Sequence, residues 1–75
     1  MEQKQVKIKD EYITLGQLLK KEDIVSSGGE VKFFLSEAVI RVNGELNSQR
    51  GKKLYNNDTI DIQGIGEFVI CASND

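Results

Sequence analysis

Ser26-Ser27-Gly28-Gly29-Glu30-Val31-Lys32-Phe33-Phe34-Leu35, followed by Val39-Ile40-Arg41-Val42-Asn43-Gly44, carries the architecture of this chain. Ser27 is placed to cap a helix, and Glu30, three positions on, has the spacing of a capping box. Val31, Phe34 and Leu35 fall at i, i+3 and i+4, so they share one helical face. After Ala38 the period drops to two. Ile40 and Val42 then lie on one side of a strand, with Arg41 and Asn43 on the other. Asn43-Gly44 tolerates positive φ at both central positions of a two-residue hairpin turn, the type I′ geometry. Helix, strand and turn form one unit with an apolar inner face and Lys32, Arg41 and Asn43 outside.

Upstream, Val6 and Ile8 alternate with Lys7 and Lys9 in a first strand, at an edge where lysines discourage unwanted pairing. Asp10-Glu11 turns the chain. Thr14 caps a helix over residues 15–21, with Gln17 as its box partner and Ile13 and Leu18 as a hydrophobic staple. Leu15, Leu18 and Leu19 face inward. Gly16 weakens this helix slightly and permits a close helix–helix approach. Ile24 or Val25 brings the following link into the core. Downstream, Glu45-Leu46 begins the returning hairpin arm, and residues 47–53 form a polar, basic loop anchored by Leu54. Asn56-Asn57-Asp58 turns again, ahead of strands at 59–62 and 67–72. The expected architecture is α+β, two short helices packed on a small, mostly antiparallel sheet of four or five strands. Val31, Phe34, Leu35, Ile40, Val42, Leu54, Ile60 and Ile62 should share one core.

With 75 residues, 29% charged and 39% hydrophobic, the chain reads as one small folded domain over 1–75, or a fragment of one, rather than a disordered segment. It holds no apolar run of membrane-spanning length and no basic-then-apolar leader, so the expected location is the cytoplasm, with no membrane partner. There is no histidine and one cysteine, Cys71, which excludes an internal disulfide and a zinc set. Cys71 reads as a small buried residue of the last strand, with no histidine to activate it. Neither a G-x-S-x-G elbow nor a phosphate loop is present, since no lysine and Ser/Thr follow Gly28-Gly29. These absences favour a non-enzymatic binding module that needs no cofactor, metal or small-molecule substrate.

The net charge of −2 hides a gradient. Residues 41–55 carry four bases (Arg41, Arg50, Lys52, Lys53) against Glu45, whereas residues 56–75 carry four acids and no base. Local sign decides whether a polyanion can dock. Ser26-Ser27-Gly28-Gly29 at a helix start offers free N–H groups to an anion, or else ordinary capping with glycines for tight packing. Arg50-Gly51-Lys52-Lys53 offers phosphate contacts, or else a solvated loop. Asn43-Gly44, taken alone, is turn chemistry. Tyr12 and Tyr55 read as core or rim packing ahead of base stacking.

In order and spacing, Leu15-x-x-Leu18-Leu19-Lys20, Ser27-Gly28-Gly29-x-Val31-Lys32, Val39-x-x-Val42-Asn43-Gly44, Arg50-x-Lys52-Lys53-Leu54 and Asp58-Thr59-Ile60 resemble the S4 RNA-binding domain. The stand-alone length and the Ser-Gly-Gly-x-x-Lys form look closest to the small bacterial proteins of the YaaA type. The resemblance implies an S4-like fold with the αL motif. It implies an RNA-facing set of Ser27, Gly28, Gly29, Lys32, Asn43, Gly44, Arg50, Lys52 and Lys53. It further implies structured RNA as partner, ribosomal RNA in particular, on a ribosomal subunit or an assembly intermediate of the large subunit. Glu30, where many relatives carry a basic or small residue, and the acidic balance depart from the pattern. A shallow basic face with few exposed aromatics suits folded RNA read by shape and phosphate. A second reading stays open: a protein-interaction adaptor that uses an exposed sheet edge or the acidic C-terminal third.

Overall fold

A computed structural model describes residues 3–72. The elements run β1 (Gln3–Ile8), β2 (Tyr12–Thr14), α1 (Leu15–Lys21), α2 (Gly28–Glu37), β3 (Ile40–Val42), β4 (Glu45–Leu46), β5 (Lys53–Tyr55), β6 (Thr59–Ile62) and β7 (Gly66–Ala72). β1-β7-β6-β3-β4 form a five-stranded sheet, and β2-β5 form a separate two-stranded ribbon. All pairings are antiparallel except β1 with β7, which is parallel, with Gln3 opposite Glu67 and Val6 opposite Ile70. The α+β expectation holds, with two helices and a mostly antiparallel but mixed sheet. The ribbon was not anticipated. Lys53 and Leu54, expected in and behind a loop, belong to β5, opposite Thr14 and Ile13 of β2.

Alternation places Val6 and Ile8, Ile40 and Val42, Ile60 and Ile62, and Phe68 and Ile70 on the buried face of the sheet. Leu15, Leu18 and Leu19 from α1, Val31 and Leu35 from α2, and Ile13 and Leu54 from the ribbon complete one cluster. Phe34 does not reach it fully. Val31 and Leu35 are the buried residues of α2, and Phe34, beside that stripe, is only partly covered. The loss on Phe34→Ala therefore falls below the roughly 3–5 kcal/mol of a fully buried phenylalanine. Val25 is buried in the link and Ile24 partly so. Cys71 is half-buried and unpaired.

Side chains set the start of α1, and the backbone sets its end. Thr14 Oγ1 accepts from Gln17 N at 3.2 Å and Gln17 Oε1 accepts from Thr14 N at 3.0 Å, a complete capping box. At the far end Asp23 adopts φ 59°, and the Ile24 and Asp23 amides donate to the Leu19 and Lys20 carbonyls, a Schellman arrangement. The intervening Glu22 is an acid at a helix C-terminus, where the dipole opposes it. Its Oε1 lies 2.7 Å from Lys4 Nζ of β1, which offsets that cost. The β3–β4 turn has Asn43 at φ 53° and Gly44 at φ 87°, as the Asn-Gly pair requires for type I′.

Candidate nucleic-acid interface

Ser27 caps α2, its Oγ accepting from Glu30 N at 3.4 Å, and the Glu30 and Val31 amides both reach the Ser27 carbonyl at 3.2 Å. The expected reciprocal bond from Glu30 back to Ser27 is replaced. The Glu30 carboxylate accepts instead from Ser26, Oε1 from the hydroxyl at 2.6 Å and Oε2 from the amide at 3.4 Å. The Ser26 hydroxyl, then the Ser26 amide, hold the Glu30 carboxyl below its ordinary pKa, so it is ionised at neutral pH. A Cβ added at Gly28 or at Gly29 would meet nothing within 4 Å. Neither glycine has a positive φ. Tight packing within the fold is therefore not what these glycines serve. They leave the first turn of α2 bare, with Lys32 exposed one turn on.

The basic loop is solvated at its side chains but fixed at its backbone. Leu15 N donates to the Lys52 carbonyl and Gly16 N to the Arg50 carbonyl, each at 2.9 Å, so the first-turn donors of α1 clamp the loop. Asn47 Oδ1 accepts from Gln49 N at 2.9 Å, Lys52 N donates to Gln49 O at 3.1 Å, and Asn47 N donates to Ile40 O at 2.9 Å. Gly16 is required by this contact. A Cβ there would lie 3.3 Å from the Arg50 oxygen and 3.5 Å from Val31 Cγ1. The close approach expected at Gly16 thus involves α2 and, more tightly, the loop. It brings the Arg50 backbone and Val31 of α2 to the same point of α1, and Arg50, Lys52 and Lys53 are all exposed.

Asn43 does other work. Its Nδ2 donates to Asp58 Oδ1 at 3.1 Å, and its Oδ1 accepts from Thr59 N at 2.9 Å. Asp58 Oδ2 in turn accepts from Tyr55 N at 2.7 Å. Asn43 is therefore tied to the 55–59 turn, whereas Asn47 meets Ile40 at the other end of the hairpin. The Asn43 amide is engaged within the fold, and the turn offers its peptide surface.

Sequence reasoning missed the outer face of the ribbon. Tyr12 and Tyr55 are opposite one another, with ring centroids 5.8 Å apart and planes tilted by 48°. Lys53 Nζ stands 5.0 Å from the Tyr12 centroid, within cation–π range. Its only mark in the sequence is two three-residue alternations, Tyr12-Ile13-Thr14 and Lys53-Leu54-Tyr55, each too short to declare a strand.

A mixed sheet carrying two capped helices, with a clamped basic loop and an open helix start on its surface, defines a small α+β domain. The S4-domain family model matches residues 6–71, and the chain belongs to the S4-domain family. It is 48% identical over 65 residues to the probable ribosome maturation protein RlbA of Bacillus subtilis (strain 168), an alignment covering 87% of this chain and 92% of that protein.

Proposed function

We propose that this protein is a non-enzymatic RNA-binding protein of the cytoplasm that docks structured ribosomal RNA during ribosome maturation, on a large-subunit assembly intermediate. The contact face consists of Ser27, Gly28, Gly29 and Lys32 at the start of α2, Arg50 and Lys52 of the clamped loop with Lys53 that follows in β5, and the Asn43-Gly44 turn. The observation that carries this reading is the bare pair Gly28-Gly29, which nothing within the fold requires. Donors at an open helix start suit a phosphate, and cations on a fixed backbone lose little freedom on meeting one. Membership of the S4 family and similarity to a probable ribosome maturation protein support the same reading. The adaptor alternative loses ground, because Asp58 of the acidic third is engaged by Asn43 and Tyr55. The β1 edge carries exposed Lys4 and Lys7, and β4 is only two residues long.

The test is replacement of Arg50, Lys52 and Lys53 together by Ala. Melting should shift little, surface changes costing about 0.5 kcal/mol each or less. Affinity for large-subunit ribosomal RNA should fall more than tenfold. The salt slope should flatten by up to about 0.9 for each phosphate that is no longer neutralised. Unchanged affinity and slope would return the loop to the role of a solvated connector.

A further inference from the structure

The proposed face takes only Lys53 from the outer side of the β2–β5 ribbon. Ile13 and Leu54 fill its inner side, and Tyr12 and Tyr55 stand on the outer side, 38% and 44% exposed. Cations stand on two sides of Tyr12. Lys53 stands over the Tyr12 ring, and Lys52 precedes it in the clamped loop. On the other side Tyr12 borders a shallow groove whose walls include Lys7, Lys9 and Lys21, against a single acid, Asp10. An aromatic surface between two sets of cations matches the chemistry of a nucleotide strand, whose bases present π-faces and whose flanking phosphates are anionic. A protein partner would be matched instead by a closed apolar patch, which the lysines here interrupt.

We infer that this face is a second RNA subsite, at which one unpaired base stacks on the Tyr12–Tyr55 pair while its neighbouring phosphates meet Lys53 and the Lys9–Lys21 groove. The inference rests on the RNA-binding reading and adds to it a preference for RNA with an unpaired base beside the folded element. The expectation that the tyrosines serve as rim packing is thereby extended. The pair braces the ribbon and also receives a base.

The chain contains two tyrosines and no tryptophan, so its intrinsic emission reports on this platform alone. The probes are an RNA hairpin with a loop of unpaired uridines and a fully paired RNA duplex of equal length. The hairpin should quench the tyrosine emission and the duplex should not. Tyr55→Leu should weaken hairpin binding about tenfold and leave duplex binding unchanged, whereas Tyr55→Phe should bind as the parent does. Quenching in the parent protein needs no variant, so a poorly folded Tyr55→Leu would not obscure the result. If the hairpin binds without quenching, the platform is only a brace, and the RNA-binding reading stands without it. If neither RNA binds at low salt, the RNA-binding reading itself falls and takes the subsite with it.

Discussion

The two helices begin with the same chemistry and end up with opposite surroundings. Each starts after a hydroxyl cap, Thr14 or Ser27, and each has glycine in its first turn. At α1 the Leu15, Gly16 and Gln17 amides are taken by Lys52, Arg50 and Thr14, and Gly16 is pressed against the loop. At α2 Gly28 and Gly29 face open space. A capped, glycine-bearing helix start is thus a generic device. What it serves depends on whether the chain returns to fill it. Here one start organises the protein, and the other stays open.

That contrast can be broken at four points. Gly16→Val should have the largest effect. Its side chain has no room against the Arg50 backbone, and overpacking of this kind costs about 1–3 kcal/mol. The melting temperature should drop by roughly 10 °C. Parent-like melting of Gly16→Val would show that the loop is not clamped at this point.

The caps come next. Thr14→Ala removes a two-way capping box and should cost about 1–2 kcal/mol in chemical denaturation. Ser27→Ala, which removes a bond of 3.4 Å, should cost about 0.5 kcal/mol. Equal losses would mean that the two starts are energetically alike.

Gly29→Ala should run the other way. Alanine is the better helix former, so stability should rise by up to about 1 kcal/mol. Binding to large-subunit ribosomal RNA should nevertheless weaken several-fold, because a methyl group now stands where a phosphate would approach. A stabilised Gly29→Ala that binds RNA as the parent does would remove the open start from the binding face.

The smallest effect concerns charge. Glu30→Gln removes an anion beside that start and should tighten RNA binding a few-fold at low salt. The Glu30 carboxyl is held below its ordinary pKa of 4.5 by Ser26, so its stabilisation is present above that value and is lost as pH falls through the folded pKa. Melting curves collected on the acid side should therefore fall less steeply for Glu30→Gln than for the parent. Parallel curves would show that the Ser26–Glu30 contact contributes nothing to folding.

How much of this was legible depended on range. Thr14 and Gln17 announce α1 because a capping box is a contact across three positions, and Asn43-Gly44 announces its turn because two adjacent residues need positive φ. Alternation identified Ile40, Val42, Ile60 and Ile62 as core for the same local reason. The ribbon was not legible. Tyr12 meets Tyr55 only in three dimensions, and three residues are too few for a period of two to declare itself. Phe34 was over-read because periodicity gives a direction around a helix and not the depth of what lies there. At the site, composition marked Arg50, Lys52 and Lys53, but the clamp that fixes their backbone joins residues far apart in sequence. The engagement of Asn43 by Asp58 and Thr59 was hidden in the same way.

The parallel pairing of β1 with β7 has a consequence for the order of events during synthesis. Gln3 waits for Glu67 and Ile8 for Ala72, so β1 finds its neighbour only when every element between it and β7 has been made. Contacts of such long sequence separation are slow to form, because the intervening chain must first be closed into a loop. Until then Val6 and Ile8 have no sheet to join, while the helices and the β3–β4 hairpin between them can form from nearby residues. On a translating ribosome the helices and the β3–β4 hairpin would thus take shape before β7 emerges to close the core against β1.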